Sequence, residues 1–112
     1  MIRVQILQNE AGNTVFFEVA GHSGYAERGQ DIVCAAVSSA VMMTGVGLEQ
    51  QLGLKDIVQV EEKQTVIRCT LPETLPAEVL QRAFVLTNAL CLYLRELASQ
   101  YREYIHMKVE KR

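Results

Sequence analysis

Two side chains of this 112-residue sequence, Cys34 and His22, could together carry out nucleophilic chemistry. Cys34 follows Asp31 by three positions at the start of a long apolar segment, and aspartate is a preferred N-cap of helices. A cysteine in the first turn of a helix meets unpaired amides and the positive end of the helix dipole, which favour a thiolate. His22 lies upstream in a glycine-rich segment that can bring its imidazole back over the helix start. The pair predicts a cysteine nucleophile with histidine as general base and then general acid.

Three further residues of the same segment, Gly21, Asp31 and Ser38, could support that pair. Glycines let the loop adopt positive φ and let the backbone approach a bound peptide closely. Asp31 is either a structural N-cap or a third member that orients His22. Ser38 lies one turn after Cys34, and its hydroxyl either bonds to the Cys34 carbonyl or positions substrate or His22. The amides at the helix start could also form an oxyanion hole.

Each of these residues also has a purely structural interpretation. A single cysteine in an apolar helix is commonly a small core side chain, and a loop histidine commonly bonds to the backbone. The other two cysteines, Cys69 and Cys91, fall on apolar positions of a strand and a helix. We expect both of them to lie in the core.

The composition narrows the possible classes of protein. A 49% hydrophobic and 21% charged chain of this length predicts one globular domain over residues 1–112. Eleven basic and thirteen acidic side chains give a net charge of −2, so no surplus of positive charge is available for nucleic acid phosphates. Three cysteines without a CxxC pair argue against a secreted disulfide framework or a four-ligand zinc site. We expect no metal or organic cofactor. No signal-peptide pattern is present, and we expect the apolar stretch 32–48 to be too interrupted to span a membrane. These features predict a cytoplasmic protein with reduced thiols.

The elements that must position the site follow from hydrophobic periodicity. Apolar residues alternate at Ile2, Val4 and Ile6, and again after a turn, which predicts an antiparallel hairpin. The remaining pattern predicts a helix over 32–52, strands at 56–61 and 65–71, a long helix after Pro76, and a strand at 104–109. The order β-β-α-β-β-α-β predicts an α+β fold with a mainly antiparallel sheet and two helices, and leaves the strand order open. The first helix is apolar on nearly every side, so a second helix or a second subunit must cover what the sheet does not.

The run GHSGYAERGQDIVCAAVS, residues 21–38, resembles the signature of the ribosomal-processing cysteine protease (Prp) family. That signature consists of Gly-His, a glycine-bearing loop, and then Gly-x-Asp-Ile-Val-Cys-Ala-Ala-Val-Ser. On this resemblance, the catalytic cysteine falls on Cys34 and the catalytic histidine on His22, and Asp31 and Ser38 match the flanking aspartate and serine. Position 23 is Ser, where many relatives have Ala.

The resemblance implies a small homodimeric cysteine endopeptidase of the bacterial cytoplasm. Such an enzyme would remove a short, phenylalanine-rich N-terminal extension from the twenty-seventh large-subunit ribosomal protein and so support ribosome assembly. The specific match is confined to residues 21–38, although the length and order of elements also agree.

Two other interpretations compete with a protease. A glycine-rich loop that leads into a helix N-terminus can hold an anion or a peptide without catalysis. Alternatively, the chain is a structural dimer that assists ribosome assembly, with Cys34 packed and inert. Either kind of protein should tolerate loss of the Cys34 thiol, whereas a protease should not.

Overall fold

A computed structural model describes residues 1–22, 24, 26 and 31–112 of the chain. Its elements follow the predicted order and confirm the α+β class. The strands and helices are β1 (Ile2–Gln8), β2 (Thr14–Ala20), α1 (Ile32–Val46), β3 (Val58–Glu61), β4 (Val66–Thr70), α2 (Ala77–Gln100) and β5 (Ile105–Lys111). The third and fourth strands are shorter than the pattern predicted, and the fifth extends two residues further.

The five strands form one sheet in the order β3-β4-β2-β1-β5. The pairs β1–β2, β2–β4 and β3–β4 are antiparallel, as the mainly antiparallel prediction requires. The pair β1–β5 is parallel, with Ile2 opposite Ile105. A parallel neighbour needs a long crossover, and here the rest of the chain supplies it. The sheet therefore ends in two edges of different character, β3 on one side and β5 on the other.

Both helices pack on one face of this sheet and form the core with it. In α1, Val33, Val37 and Val41 are no more than 2% exposed and point toward the strands. The helical run Ile32–Gln51 is long and apolar enough, by length and composition alone, to cross a membrane, contrary to the expectation from its interruptions. Because this buried stripe packs in the core, α1 here is a core helix. Its outer side still carries exposed apolar residues, among them Met43 and Val46.

The end of the first helix shows a local change of geometry that the sequence pattern missed. The predicted helix over 32–52 is α-helical to Val46 and continues as a π-helical segment, Gly47–Gln51. A Cβ at Gly47 would lie 3.0 Å from a methyl carbon of Leu86 on α2. The close approach of α2 at this point thus favours glycine at position 47.

The turn between β1 and β2 is fastened to α2 by polar side chains. The Thr14 amide donates to the Asn88 side chain at 2.7 Å, and the Thr87 hydroxyl donates to the Thr14 carbonyl at 2.7 Å. The Thr14 hydroxyl is fully buried and has no hydrogen-bond partner among the described residues. A buried hydroxyl without a partner costs stability, because it lost its bonds to water on folding.

We expect Thr14→Val to raise the free energy of unfolding by about 1 kcal/mol, because valine has the same shape without the unpaired hydroxyl. Thr87→Val is the matched control and should lower that free energy by about 1–3 kcal/mol, since it leaves the buried Thr14 carbonyl without this donor. Urea unfolding followed by circular dichroism measures both. Equal destabilisation by the two substitutions would contradict the prediction.

Candidate functional site

The site is organised by the N-terminus of α1. Asp31 has an extended backbone, and its Oδ1 accepts hydrogen bonds from the amides of Val33 at 3.0 Å and Cys34 at 2.9 Å. This confirms Asp31 as the N-cap and puts Cys34 at the third helical position. Cys34 is half-buried and lies in the first turn, where the helix dipole stabilises negative charge.

The same hydrogen bonds change the prediction for the oxyanion hole. The amides of Val33 and Cys34, two of those at the helix start, already donate to the Asp31 carboxylate. The Ala35 amide donates to the Asp31 carbonyl at 3.0 Å. With Asp31 in this position, none of these three amides is available to a tetrahedral intermediate.

Four of the predicted site residues line one cavity of about 390 Å³ beside the N-terminus of α1. They are His22, Asp31, Cys34 and Ser38, and we call this the loop-side cavity. His22 is exposed, and Cys34 is half-buried on the first turn of the helix. The fold thus brings to one cavity the thiol and the imidazole that the sequence selected.

A second cavity, of about 460 Å³, lies on the other side of Cys34 between α1 and the β3–β4 end of the sheet. We call it the sheet-side cavity. Cys34 and Ser38 line both cavities, so the thiol stands at their junction. Much of the sheet-side wall is apolar and includes Val19, Val37, Val60 and Ile67. Glu61, Glu62 and Thr65 add polar groups to the same wall, so an extended chain that crosses Cys34 would meet apolar and polar groups together on this side.

Gly21, the predicted supporting residue next to His22, is held by two neighbouring segments. Its amide donates to the Thr65 carbonyl at 3.2 Å, and its φ is +88°. A Cβ at this position would come within 2.5 Å of the Met1 carbonyl oxygen. Only glycine satisfies both the left-handed backbone and this close approach, so Gly21 fixes the direction in which the chain reaches His22.

Ser38 does not make the bond to the Cys34 carbonyl that one interpretation required. Among the residues that the structure describes, its hydroxyl is exposed and has no hydrogen-bond partner. It is therefore accessible to a substrate at the junction of the two cavities. The glycine-rich segment 21–30, which the sequence predicts to bring His22 back over the helix start, includes residues 23, 25 and 27–30, which lie outside the described residues.

Cys69 and Cys91 are buried in the core, as predicted. Burial, with a smaller contribution from the Glu49 carboxylate, raises the pKa of the Cys69 thiol from 9.0 to about 12. That thiol stays protonated at neutral pH. Within 1–22, 24, 26 and 31–112, no group of three or more His, Cys, Asp and Glu side chains is arranged to hold a metal ion.

Comparison with known proteins assigns this arrangement to a family. The sequence model of cysteine protease Prp matches residues 1–106. The chain belongs to the cysteine protease Prp family. It is accordingly a cysteine protease.

Individual relatives agree with that membership. The chain is 27% identical over 103 residues to the ribosomal processing cysteine protease Prp of Bacillus subtilis, and the match covers 92% of each protein. Its fold is similar to a crystal structure of the protein SMU.848 from Streptococcus mutans, with a TM-score of 0.83 and 26% identity over 100% of this chain and 96% of that one. It is also similar in fold to Staphylococcus aureus Prp in complex with a covalently linked product peptide, with a TM-score of 0.80 and 21% identity over 97% and 99% of the two chains.

Sequence reasoning missed the walls of the sheet-side cavity and the contact between Met1 and Gly21. Val60 and Ile67 are ordinary alternating strand residues, and pairing of β3 with β4 puts them opposite each other. The alternation at 56–61 and 65–71 was the available signal, but it became informative only once the strand order was known.

We expect the three cysteines to differ sharply in reactivity toward iodoacetamide at pH 7.5. Cys34 should be alkylated in the native protein, because it is half-buried at a cavity, whereas the buried Cys69 and Cys91 should react only after unfolding. Intact-protein and peptide mass spectrometry count and locate the modified thiols. Native Cys34→Ala should take up no label, and labelling of Cys69 at a rate similar to Cys34 would contradict the prediction.

Proposed function

We propose that the protein is an endopeptidase that uses a Cys34–His22 dyad to remove the N-terminal extension of the twenty-seventh large-subunit ribosomal protein. The observation that carries this proposal is that Cys34, at the N-terminus of α1, lines the same cavity as His22. Membership of the cysteine protease Prp family supports the reaction class. The name of the B. subtilis relative supports the ribosomal substrate.

In the proposed mechanism, His22 takes the Cys34 thiol proton and the thiolate attacks the carbonyl carbon of the scissile peptide bond. Collapse of the tetrahedral intermediate breaks the C–N bond as the His22 imidazolium gives its proton to the leaving amine. A thioester remains on Cys34. Water, deprotonated by His22, then attacks the thioester, releases the second product as a carboxylic acid and restores the thiol.

Asp31 acts in this proposal mainly through the helix. Its carboxylate fixes the first turn that carries Cys34, and N-caps of this kind contribute about 1 kcal/mol to helix stability. Because the capped amides are occupied, the oxyanion is stabilised by other donors. We assign Ser38, accessible at the junction of both cavities, to contact with the substrate backbone.

The sheet-side cavity supports an apolar peptide as the substrate class. Its apolar surface comes from Val19, Val37, Val60 and Ile67. Burial of this surface under large apolar side chains of a substrate lowers the free energy of binding. A phenylalanine-containing extension has such residues. The structure of S. aureus Prp with a substrate peptide is similar in fold, with a TM-score of 0.76 and 20% identity over 97% of this chain and 99% of that one.

We expect the wild-type protein to cleave a synthetic peptide of that N-terminal extension, taken from the same organism, at a single bond. Cys34→Ala should abolish turnover, because no other thiol lines the cavities that the structure describes. His22→Ala should reduce kcat by roughly 10²–10⁴-fold, the usual contribution of a general acid–base. Mass spectrometry identifies the products and the scissile bond.

The matched control is His106→Ala, which removes the only other histidine, an exposed side chain on β5. Cleavage by this variant should equal that of the wild type. If the wild type leaves the peptide intact but binds it with an affinity that Cys34→Ala retains, the binding-module interpretation replaces this proposal. If the wild type neither cleaves nor binds the peptide, the structural-dimer interpretation replaces this proposal.

We further propose that the enzyme is a homodimer and that the outer face of the two helices is its interface. Exposed apolar side chains from both helices cover this face, including Met43 at 74%, Leu92 at 62% and Val85 at 69% exposure. An apolar groove of about 460 Å³ runs between the helices there. A contiguous surface of this kind is typical of subunit contacts.

For the dimer, we expect Met43→Glu to shift the protein toward monomer, because a buried carboxylate without a partner opposes association. Size-exclusion chromatography with light scattering gives the mass. Thr74→Glu, which adds the same charge in an exposed loop, is the control and should leave the mass unchanged. A wild-type protein that is monomeric at high concentration would contradict the proposal.

We also propose that the protein acts in the cytoplasm and makes no direct contact with nucleic acid. Its three cysteines form no disulfide, which suits a reducing compartment. Its net charge of −2 gives it no general attraction to phosphates.

A further inference from the structure

The edge of the sheet at β5 has unpaired backbone groups at defined positions. The Ile2 amide donates to the Tyr104 carbonyl, and the Arg112 amide donates to the Gln8 carbonyl. In a parallel pair this alternation continues along the strand, so the even-numbered residues of β5 bond to β1. The amides and carbonyls of Met107 and Val109 therefore point away from the sheet. These groups could pair with one more strand.

A groove of about 340 Å³ runs beside this edge, between β5 and the C-terminal part of α2. Its apolar wall comes from Met107, Val109 and Ala98, all half-buried. These side chains lie on the helix-covered face of the sheet. A strand added at the edge would place every second side chain in this groove. We call the free backbone and the groove together the β5 edge site.

The charged side chains that line the groove have one sign. Arg95 and Arg102 line the groove together with Ser99, and no acidic side chain does. Among the residues that the structure describes, neither arginine forms an ion pair. Guanidinium groups bind carboxylates through two parallel hydrogen bonds with defined geometry.

We infer that the β5 edge site binds an extended acidic segment of a partner protein by strand addition. The segment pairs with the backbone of Met107 and Val109, places an apolar side chain over the groove, and directs carboxylates at Arg95 and Arg102. Strand addition is a common mode of peptide recognition, in which the backbone gives affinity and alternate side chains give specificity. The site lies at the opposite edge of the sheet from β3 and the sheet-side cavity, so it is separate from the proposed catalytic cavities.

The test uses the full-length protein and a fluorescein-labelled peptide of sequence Thr-Glu-Thr-Val-Thr-Glu-Thr, followed by fluorescence anisotropy. We expect binding that the double variant Arg95→Glu, Arg102→Glu weakens at least about tenfold, the factor that corresponds to one charge-assisted contact. Val109→Pro should weaken binding as well, because it removes one outward amide and keeps every bond to β1. Arg82→Glu, a charge change on the same helix outside the groove, is the matched control and should bind as the wild type does.

Hydrogen exchange of the wild-type protein gives a readout that does not depend on variants. The bound peptide should slow exchange at the amides of Met107 and Val109, with no such change when lysines replace the peptide's glutamates. The inference is overturned if no binding occurs at about 1 mM, a weak affinity for specific recognition. It is also overturned if Arg82→Glu weakens binding as much as the groove variant. Protection of both amides in the free protein that rises with concentration would show that a second copy occupies this edge, which also overturns it.

Discussion

The carboxylate of Asp31 is the constraint on which the rest of the site depends. By accepting from the amides of Val33 and Cys34, it determines where α1 begins and therefore which turn carries the thiol. A start one residue later would rotate Cys34 by about 100° around the helix axis, away from the junction of the two cavities. The cap also has a chemical consequence. It places an anionic side chain in the same turn as the proposed nucleophile, so the residue that positions Cys34 also contributes charge to the site.

The strands and helices were predictable from the sequence wherever the pattern that identifies them lies within a short stretch of the chain. Alternation at Ile2, Val4 and Ile6 and the aspartate before the apolar segment identified β1 and the start of α1 correctly, because these patterns reflect one strand face and one helix terminus. The order of the strands was not predictable. Pairing of β5 with β1 joins Ile105 to Ile2 across nearly the whole chain, and no residue type at either end specifies that choice. The close approach of Leu86 to Gly47 at the end of α1 likewise joins two helices that no local pattern relates.

The residues of the candidate site were likewise predictable only in part from the sequence. Cys34, His22, Asp31, Ser38 and Gly21 lie within one short stretch of sequence, and the fold places all of them around two adjoining cavities. The surface that would contact a substrate comes from β2, β3 and β4, whose residues look like any half-buried strand. The suggestion of an oxyanion hole at the amides of α1 overlooked that an N-cap side chain accepts from the second and third amides of its helix, as Asp31 does here. The chemistry was therefore more predictable than the means of selecting a substrate.

The first helix meets three requirements that would conflict on a conventional amphipathic helix. Its stripe of Val33, Val37 and Val41 anchors it to the sheet, its first turn presents the thiol, and its outer side carries Met43 and Val46. Such a helix has no polar face, because its sides carry either apolar side chains or the proposed nucleophile. Rigid anchoring in the core suits a nucleophile that must hold its position against both cavities. If the outer side is the subunit contact, pairing of two copies covers the apolar surface and further restrains the helix that carries Cys34. On that argument the dimer supports catalysis through the stability of α1, without any need for the partner to reach into the cavity.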